Sequence, residues 1–159
     1  MTFKPLVIGI IFSIISFYSG ALNAQKKNIV HGSAGSAILI NSASINYERL
    51  FYDYEDSKLR KIYFKLSYGI YSRSYVDYGQ TWNFYSMSLP FLIGKEKVFF
   101  EITPGLSFRS GASAVDAAIP DSDLIGIISF ALRTEYENTM FRWGAGNQEV
   151  LFVCFGYRF

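Results

Sequence analysis

The chain has 159 residues and a formal net charge of +2, enough for a single domain and too close to neutral for a nucleic-acid or acidic-surface binder. Its one cysteine, Cys154, excludes a disulfide framework and a thiolate metal cluster. Half of the residues are hydrophobic and 18% are aromatic, yet beyond Gln25 no apolar run approaches the roughly 20 residues of a spanning helix, so apolar and polar residues must be interleaved.

The first 24 residues stand apart. Lys4 gives a positive flank, LVIGIIFSIISF (Leu6 to Phe17) is apolar, and Ala-Leu-Asn-Ala closes the stretch with small residues where a signal peptidase reads. This predicts a cleavable helical signal peptide over 1–24 and an exported domain over 25–159. The apolar run is about 12 residues, short of a membrane anchor. No cysteine follows Ala24 that could carry a lipid. Loss of Lys4 lowers the net charge from +2 to +1.

Beyond the leader, alternation dominates. Eight segments are predicted as strands, at about 28–38, 42–52, 61–72, 82–94, 96–109, 122–135, 139–147 and 149–159. The first, in HGSAGSAILI, is rich in small residues and its phase is ambiguous. In KIYFKLSYGIY, Ile62, Phe64, Leu66, Tyr68 and Ile70 form one face against Tyr63, Lys65, Ser67 and Gly69. EKVFFEITPGLSFRS sets Phe100, Ile102, Pro104, Leu106 and Phe108 against Glu101, Thr103, Gly105, Ser107 and Arg109. Side chains of a strand point to opposite faces at period two, so one face is apolar and the other polar or small. Ile128, Phe130 and Leu132 then oppose Ser129, Ala131, Arg133 and Glu135, and Phe141, Trp143 and Ala145 oppose Met140, Arg142 and Gly144.

The final segment, LFVCFGYRF, places Leu151, Val153, Phe155, Tyr157 and Phe159 on one face and Phe152, Cys154, Gly156 and Arg158 on the other. In a soluble sandwich that face would need a second apolar layer, and an edge strand would expose its unpaired backbone. A closed barrel removes the edge, and lipid can serve as solvent for the apolar face. Most segments reach the roughly 9–11 residues with which a tilted strand crosses a bilayer. The expectation is an all-β fold: an eight-stranded antiparallel up-and-down transmembrane β-barrel. The long connections at 73–81 and 110–121 would fall on the outer side, and the charged one at 53–60 on the periplasmic side.

At this point the chain resembles the small eight-stranded outer-membrane β-barrels of gram-negative bacteria, the OmpA/OmpX-like class. SINYERLF (Ser44 to Phe51), SLPFLIGKEKVFFEITPGL (Ser88 to Leu106) and FGYRF carry the likeness, which covers essentially all of 25–159. The resemblance implies residence in the outer membrane, with its lipid as a partner. It also implies that Phe155, Tyr157 and Phe159 form the C-terminal signal read by the barrel-assembly machinery.

An eight-stranded barrel is just wide enough to be filled by side chains. The inward set is Asn46, Glu48, Lys65, Glu101, Arg109, Arg133, Glu135, Arg142 and Arg158. Buried charges persist when paired, which predicts Glu48, Glu101 and Glu135 zipped to Lys65, Arg133 and Arg142 in a filled lumen rather than an ion pathway. Little suggests catalysis. His31 is the only histidine; Ser33, Ser36 and Asp116 are available to it, but no GxSxG-type elbow occurs. Cys154 is expected to be lumen filler. The loop from Gly111 to Ser122 lacks the carboxylate spacing of a calcium site, and no cofactor or metal site is predicted. Tyr75, Tyr78 and Trp82 remain as possible loop contacts for a surface partner, with an interfacial aromatic belt as the other reading, which suits Trp82 best. The expected role is structural or surface contact without enzymatic activity. The alternatives are a narrow channel, a lipid-modifying enzyme and a soluble lipocalin-like barrel with reversed polarity.

Overall fold

A computed structural model describes residues 27–37, 40–54, 57–74, 79–111 and 122–159. The leader expected over 1–24, together with Tyr75, Tyr78 and Asp116, lies outside the described residues. Those that are described form nine β-segments and no helix.

The segments run β1 (Asn28–Ala37), β2 (Ile40–Asp53), β3 (Leu59–Ser74), β4 (Gly79–Ser88), β5 (Phe91–Lys95), β6 (Val98–Ser110), β7 (Ser122–Glu135), β8 (Thr139–Gly146) and β9 (Val150–Arg158). Every pairing is antiparallel. Each strand pairs with its neighbours in sequence, and β9 returns to β1 through a register from Ile29↔Arg158 to Ser36↔Leu151. The sheet is therefore a closed eight-stranded barrel whose fourth strand is built from β4 and β5.

That fourth strand is where the expected continuous segment 82–94 is corrected. Pro90 has no N–H to give to a ladder, and the regular strand stops at Ser88 and resumes at Phe91. The flanking backbone groups still find partners: Leu89 N–H donates to the Pro104 carbonyl at 3.0 Å, and the Pro90 carbonyl accepts from Tyr63 N–H at 2.9 Å. The wall is interrupted in regularity but stays bonded on both sides. A second irregularity sits in β2, where the register to β3 slips between Leu50 and Tyr52. This bulge turns both Phe51 and Tyr52 outward, edge to face at 4.8 Å.

Strand lengths also revise the connections. β3 and β4 run on to Ser74 and back from Gly79, so the long connection expected at 73–81 shrinks to 75–78. Strand direction places Ala37, Ile40, Ser74, Gly79, Ser110, Ser122 and the 147–149 turn at one end of the barrel, called here the loop end. The termini end holds Tyr54, Ser57 and the turns at 96–97 and 136–138. There Asn28 and Phe159 bond to each other at 3.0 and 2.9 Å through both backbone groups.

Where its phase is clear, the alternation read from the sequence sorts inside from outside. In β9, Phe152, Cys154 and Gly156 are buried while Leu151, Val153, Phe155 and Tyr157 are exposed. In β6, Glu101, Thr103 and Ser107 are buried while Phe100, Leu106 and Phe108 are exposed. The outer surface is predominantly apolar and the middle of the bore is polar.

Candidate functional site: the filled lumen

Four ionised side chains with essentially no exposure occupy the middle of the bore: Glu48 from β2, Glu101 from β6, Arg133 from β7 and Arg142 from β8. Arg133 is the hub. Its Nη1 donates to Glu48 Oε2 at 2.7 Å and to Glu101 Oε2 at 3.1 Å, and its Nη2 lies 2.9 Å from Glu135 Oε1. Arg142 Nη1 donates to Glu101 Oε1 at 2.6 Å and stands 3.7 Å from Glu48 Oε1. Charge-assisted bonds of this kind are the strong ones, and a guanidinium fork can serve several carboxylates at once.

Aromatic rings support both guanidinium groups. Arg133 lies 4.5 Å from the Tyr63 ring centre and Arg142 lies 5.1 Å from that of Phe152. The remaining carboxylate valences are filled by Thr103 Oγ1, which donates to Glu101 at 2.7 Å, and by Tyr63 Oη, which donates to Glu135 at 3.0 Å. Lys61 Nζ completes Glu135 at 2.6 Å.

Several residues fall elsewhere than the sequence suggested. Lys65, grouped above with the three glutamates, is 4% exposed yet has no carboxylate within 4.0 Å among the described residues. Arg109 stands apart near the loop end and pairs with Asp123 at 3.0 Å. Arg158 sits at the termini end, 3.7 Å from Glu135, with Nη1 donating to the Tyr136 carbonyl at 2.9 Å. Asn46 donates to Ser44 Oγ at 3.0 Å. Phe155, Tyr157 and Phe159 are exposed on the outer wall, the last two stacked at 6.5 Å.

Trp82 requires a correction. Read from the sequence as a loop contact or belt residue, it is 6% exposed and faces the bore, where it packs with Tyr71, Phe84 and Ile40. Its parity in β4 is that of Phe84, Ser86 and Ser88, all buried, so it forms part of an apolar layer at the loop end. A matching layer of Ile29, Tyr63, Leu92, Phe99 and Met140, with Leu50 against it, lies at the termini end. The ionic cluster is held between these two layers.

Three participants were missed. His31 Nε2 bonds to Glu48 Oε1 at 2.9 Å with the ring fully buried; the ambiguous phase of the small-residue β1 hid its inward direction. Lys61 shares the parity of Tyr63 and Lys65, so its signal was present but lay at the predicted strand's edge. Glu149 opened the predicted strand 149–159, with the parity of the outward Leu151; it lies instead in the turn before β9, where it accepts from Ser33 Oγ at 2.8 Å and reaches the bore.

Cys154 is buried beside Phe152 and Ala131, and its Sγ accepts from Arg142 Nη2 at 3.3 Å. Among the described residues, no group of three or more His, Cys, Asp or Glu side chains is placed to hold a metal ion. No protein-family model matches the chain, and no curated protein is significantly similar to it.

Proposed function

We propose that the chain is an exported integral outer-membrane protein, a side-chain-filled barrel with a structural or surface-contact role rather than a pore or an enzyme. The observation that carries this reading is the barrel's polarity. Glu48, Glu101, Arg133 and Arg142 are withdrawn from solvent, while Ile45, Phe51, Leu124, Leu151 and Phe155 are each more than 60% exposed. In water such a wall would forgo about 25 cal/mol for every Å² of apolar surface left uncovered. Exposed apolar surface of this extent calls for a cover. Hydrocarbon supplies one, and a closed sheet leaves no unpaired backbone within it.

A soluble lipocalin-like barrel shares the strand count but needs the opposite polarity, with an apolar bore around its ligand. The ionic bore counts against it. The two apolar layers and the paired charges count against a continuous aqueous path. Catalysis would require a base beside a nucleophile, whereas His31 bonds to Glu48 and Ser33 bonds to Ser44 and Glu149. On this reading outer-membrane lipid is the protein's solvent and the barrel-assembly machinery its partner during insertion.

The test is fractionation of expressing cells, followed by gel mobility of the detergent-extracted protein with and without boiling. A membrane-bound species whose mobility changes on boiling is expected. Protein lacking residues 1–24 that stays monodisperse in plain buffer would overturn the assignment. A large, stable conductance in planar bilayers would overturn the filled lumen.

A further inference from the structure

The loop-end half of the bore contains a second cluster, which shares only Thr103 with the central network. Six strands contribute one hydroxyl each: Ser33, Ser44, Ser67, Ser86, Thr103 and Ser129. Lys65, Gln148 and Glu149 join Ser67, Ser86, Thr103 and Ser129 around a cavity of about 20 Å³, room for one water molecule. This seat is incompletely satisfied. Lys65 has no carboxylate within 4.0 Å among the described residues. Ser67 Oγ and Gln148 Oε1, both on residues at least nine-tenths buried, have no hydrogen-bond partner among them either. Glu149 supplies its main opposite charge, beyond ion-pair distance, and a buried ammonium held that loosely is costly.

The roof of this chamber is the turn 147–149, which folds inward. Gln148 is 6% exposed. The Glu149 carboxylate crosses to β1 and β2, accepting from Ser33 Oγ at 2.8 Å and Ser44 Oγ at 3.5 Å. Val150, which follows, adopts φ 55°, a strained left-handed conformation for a β-branched residue. Asn147 anchors the turn to the wall above the end of β8. Its N–H donates to the Ile128 carbonyl at 3.1 Å, its Nδ2 to the Gly126 carbonyl at 2.9 Å, and its Oδ1 accepts from Ile128 N–H at 3.0 Å. The turn is thus tethered at one side, strained at its exit and seated on a site that it does not saturate. Toward the termini end lie Arg142, Glu101 and the apolar layer beyond them, and Phe84 of the loop-end apolar layer also lines the chamber, so a solute enters only where the turn moves aside.

We propose that this chamber is a binding site for a small organic carboxylate arriving from the loop end, and that Glu149 is a tethered occupant which such a solute displaces. The side chain of glutamate beyond Cα is chemically a propionate, so the seat already displays the chemistry it recognises: hydroxyl donors on the carboxylate and the Lys65 ammonium nearby. With Glu149 and Gln148 swung out, the vacated space is that of a molecule the size of propionate, and the carboxylate of the solute replaces that of Glu149 opposite Lys65. The proposal concerns the bore and stands whether or not lipid covers the outer wall.

Two measurements on the full detergent-extracted barrel test it. In Glu149→Ala, sodium acetate is expected to raise the thermal unfolding midpoint saturably, whereas acetamide and equal concentrations of sodium chloride do not. The effect should vanish in Glu149→Ala combined with Lys65→Met. The native turn is tested separately with Ser67→Cys in a Cys154→Ser background: propionate should raise the rate at which the introduced thiol is modified by a water-soluble reagent several-fold. Acetate acting no differently from chloride or acetamide, or acting equally without Lys65, sinks the site. An unchanged rate of thiol modification in propionate would reduce Glu149 to a structural carboxylate and overturn the displacement, including where Glu149→Ala fails to fold.

Discussion

Replacing Arg133 with methionine tests whether the bore is dry. Methionine keeps most of the side-chain length while removing the charge that faces three carboxylates at 2.7, 3.1 and 2.9 Å. Glu101 would retain Arg142 at 2.6 Å and Glu135 would retain Lys61 at 2.6 Å. Glu48 would be left with the His31 ring at 2.9 Å and Arg142 at 3.7 Å, so it becomes the orphan. Stripping one partner from a buried pair costs about 3–5 kcal/mol, because the remaining charge stays desolvated. A pair in contact with water is worth about 0–1 kcal/mol. Denaturant unfolding of the barrel, followed by tryptophan fluorescence and gel mobility, separates these cases. The expected loss for Arg133→Met is about 3–5 kcal/mol, and adding Glu48→Gln should return part of it by removing the orphaned charge. A loss below about 1 kcal/mol, or no recovery in the double variant, would refute the reasoning that the network is desolvated and mutually neutralising.

Other outcomes follow from the same arrangement. Phe130→Arg, on the outer wall where Phe130 stacks with Phe100 at 6.4 Å, should cost about 2–4 kcal/mol in lipid vesicles if hydrocarbon covers the site, against roughly ±0.5 kcal/mol for a surface in water; denaturant titration in vesicles distinguishes the two. The single thiol, Cys154, should resist alkylation in the folded barrel and react after denaturation, read as a mass shift, and prompt reaction of folded protein would mean that water reaches the mid-bore. Gly144→Ala should destabilise by about 1–3 kcal/mol through overpacking, since an added Cβ would collide with the Phe130 carbonyl and Ala131; an unchanged unfolding midpoint would show that the wall can yield there. Trp82→Ala should cost about 3–5 kcal/mol, because the ring fills the layer with Tyr71 and Phe84, whereas a belt residue at the barrel's mouth would lose far less.

Period two made much of this barrel legible. A strand residue's parity decides which side of the wall it occupies, so Glu101, Arg133 and Arg142 could be assigned to the bore without coordinates, and Phe100, Phe130 and Phe155 to the outer surface. Parity failed where it had no anchor. In β1 the alternation of Gly32, Ser33, Ala34, Gly35 and Ser36 carries little contrast in polarity, so His31 could not be turned inward by inspection. Trp82 carried the right parity, but the predicted strand began at that residue and the fold begins it at Gly79, which moved Trp82 from a rim into a core.

Partnership is a different kind of information from sidedness. Arg133 on β7 reaches Glu48 on β2, 85 residues away in sequence, and the two strands share no hydrogen-bonded edge. Neighbouring strands set local register, but contacts across a bore depend on its width and on how far the strands are staggered around the closure. Eight strands make the bore narrow enough for a single guanidinium to touch carboxylates from three strands. Lys65 stands opposite Glu48 in the β2–β3 register, yet Glu48 turns to Arg133 and His31, which leaves Lys65 facing Glu149 without an ion pair within 4.0 Å among the described residues. The central charges could therefore be listed from the sequence, but who holds whom, and which cation is held only loosely, emerges only when the wall closes. Lys65 lies under the inward-folded turn with Glu149 as its main opposite charge, so the loosely held part of the lumen is the part that this turn covers.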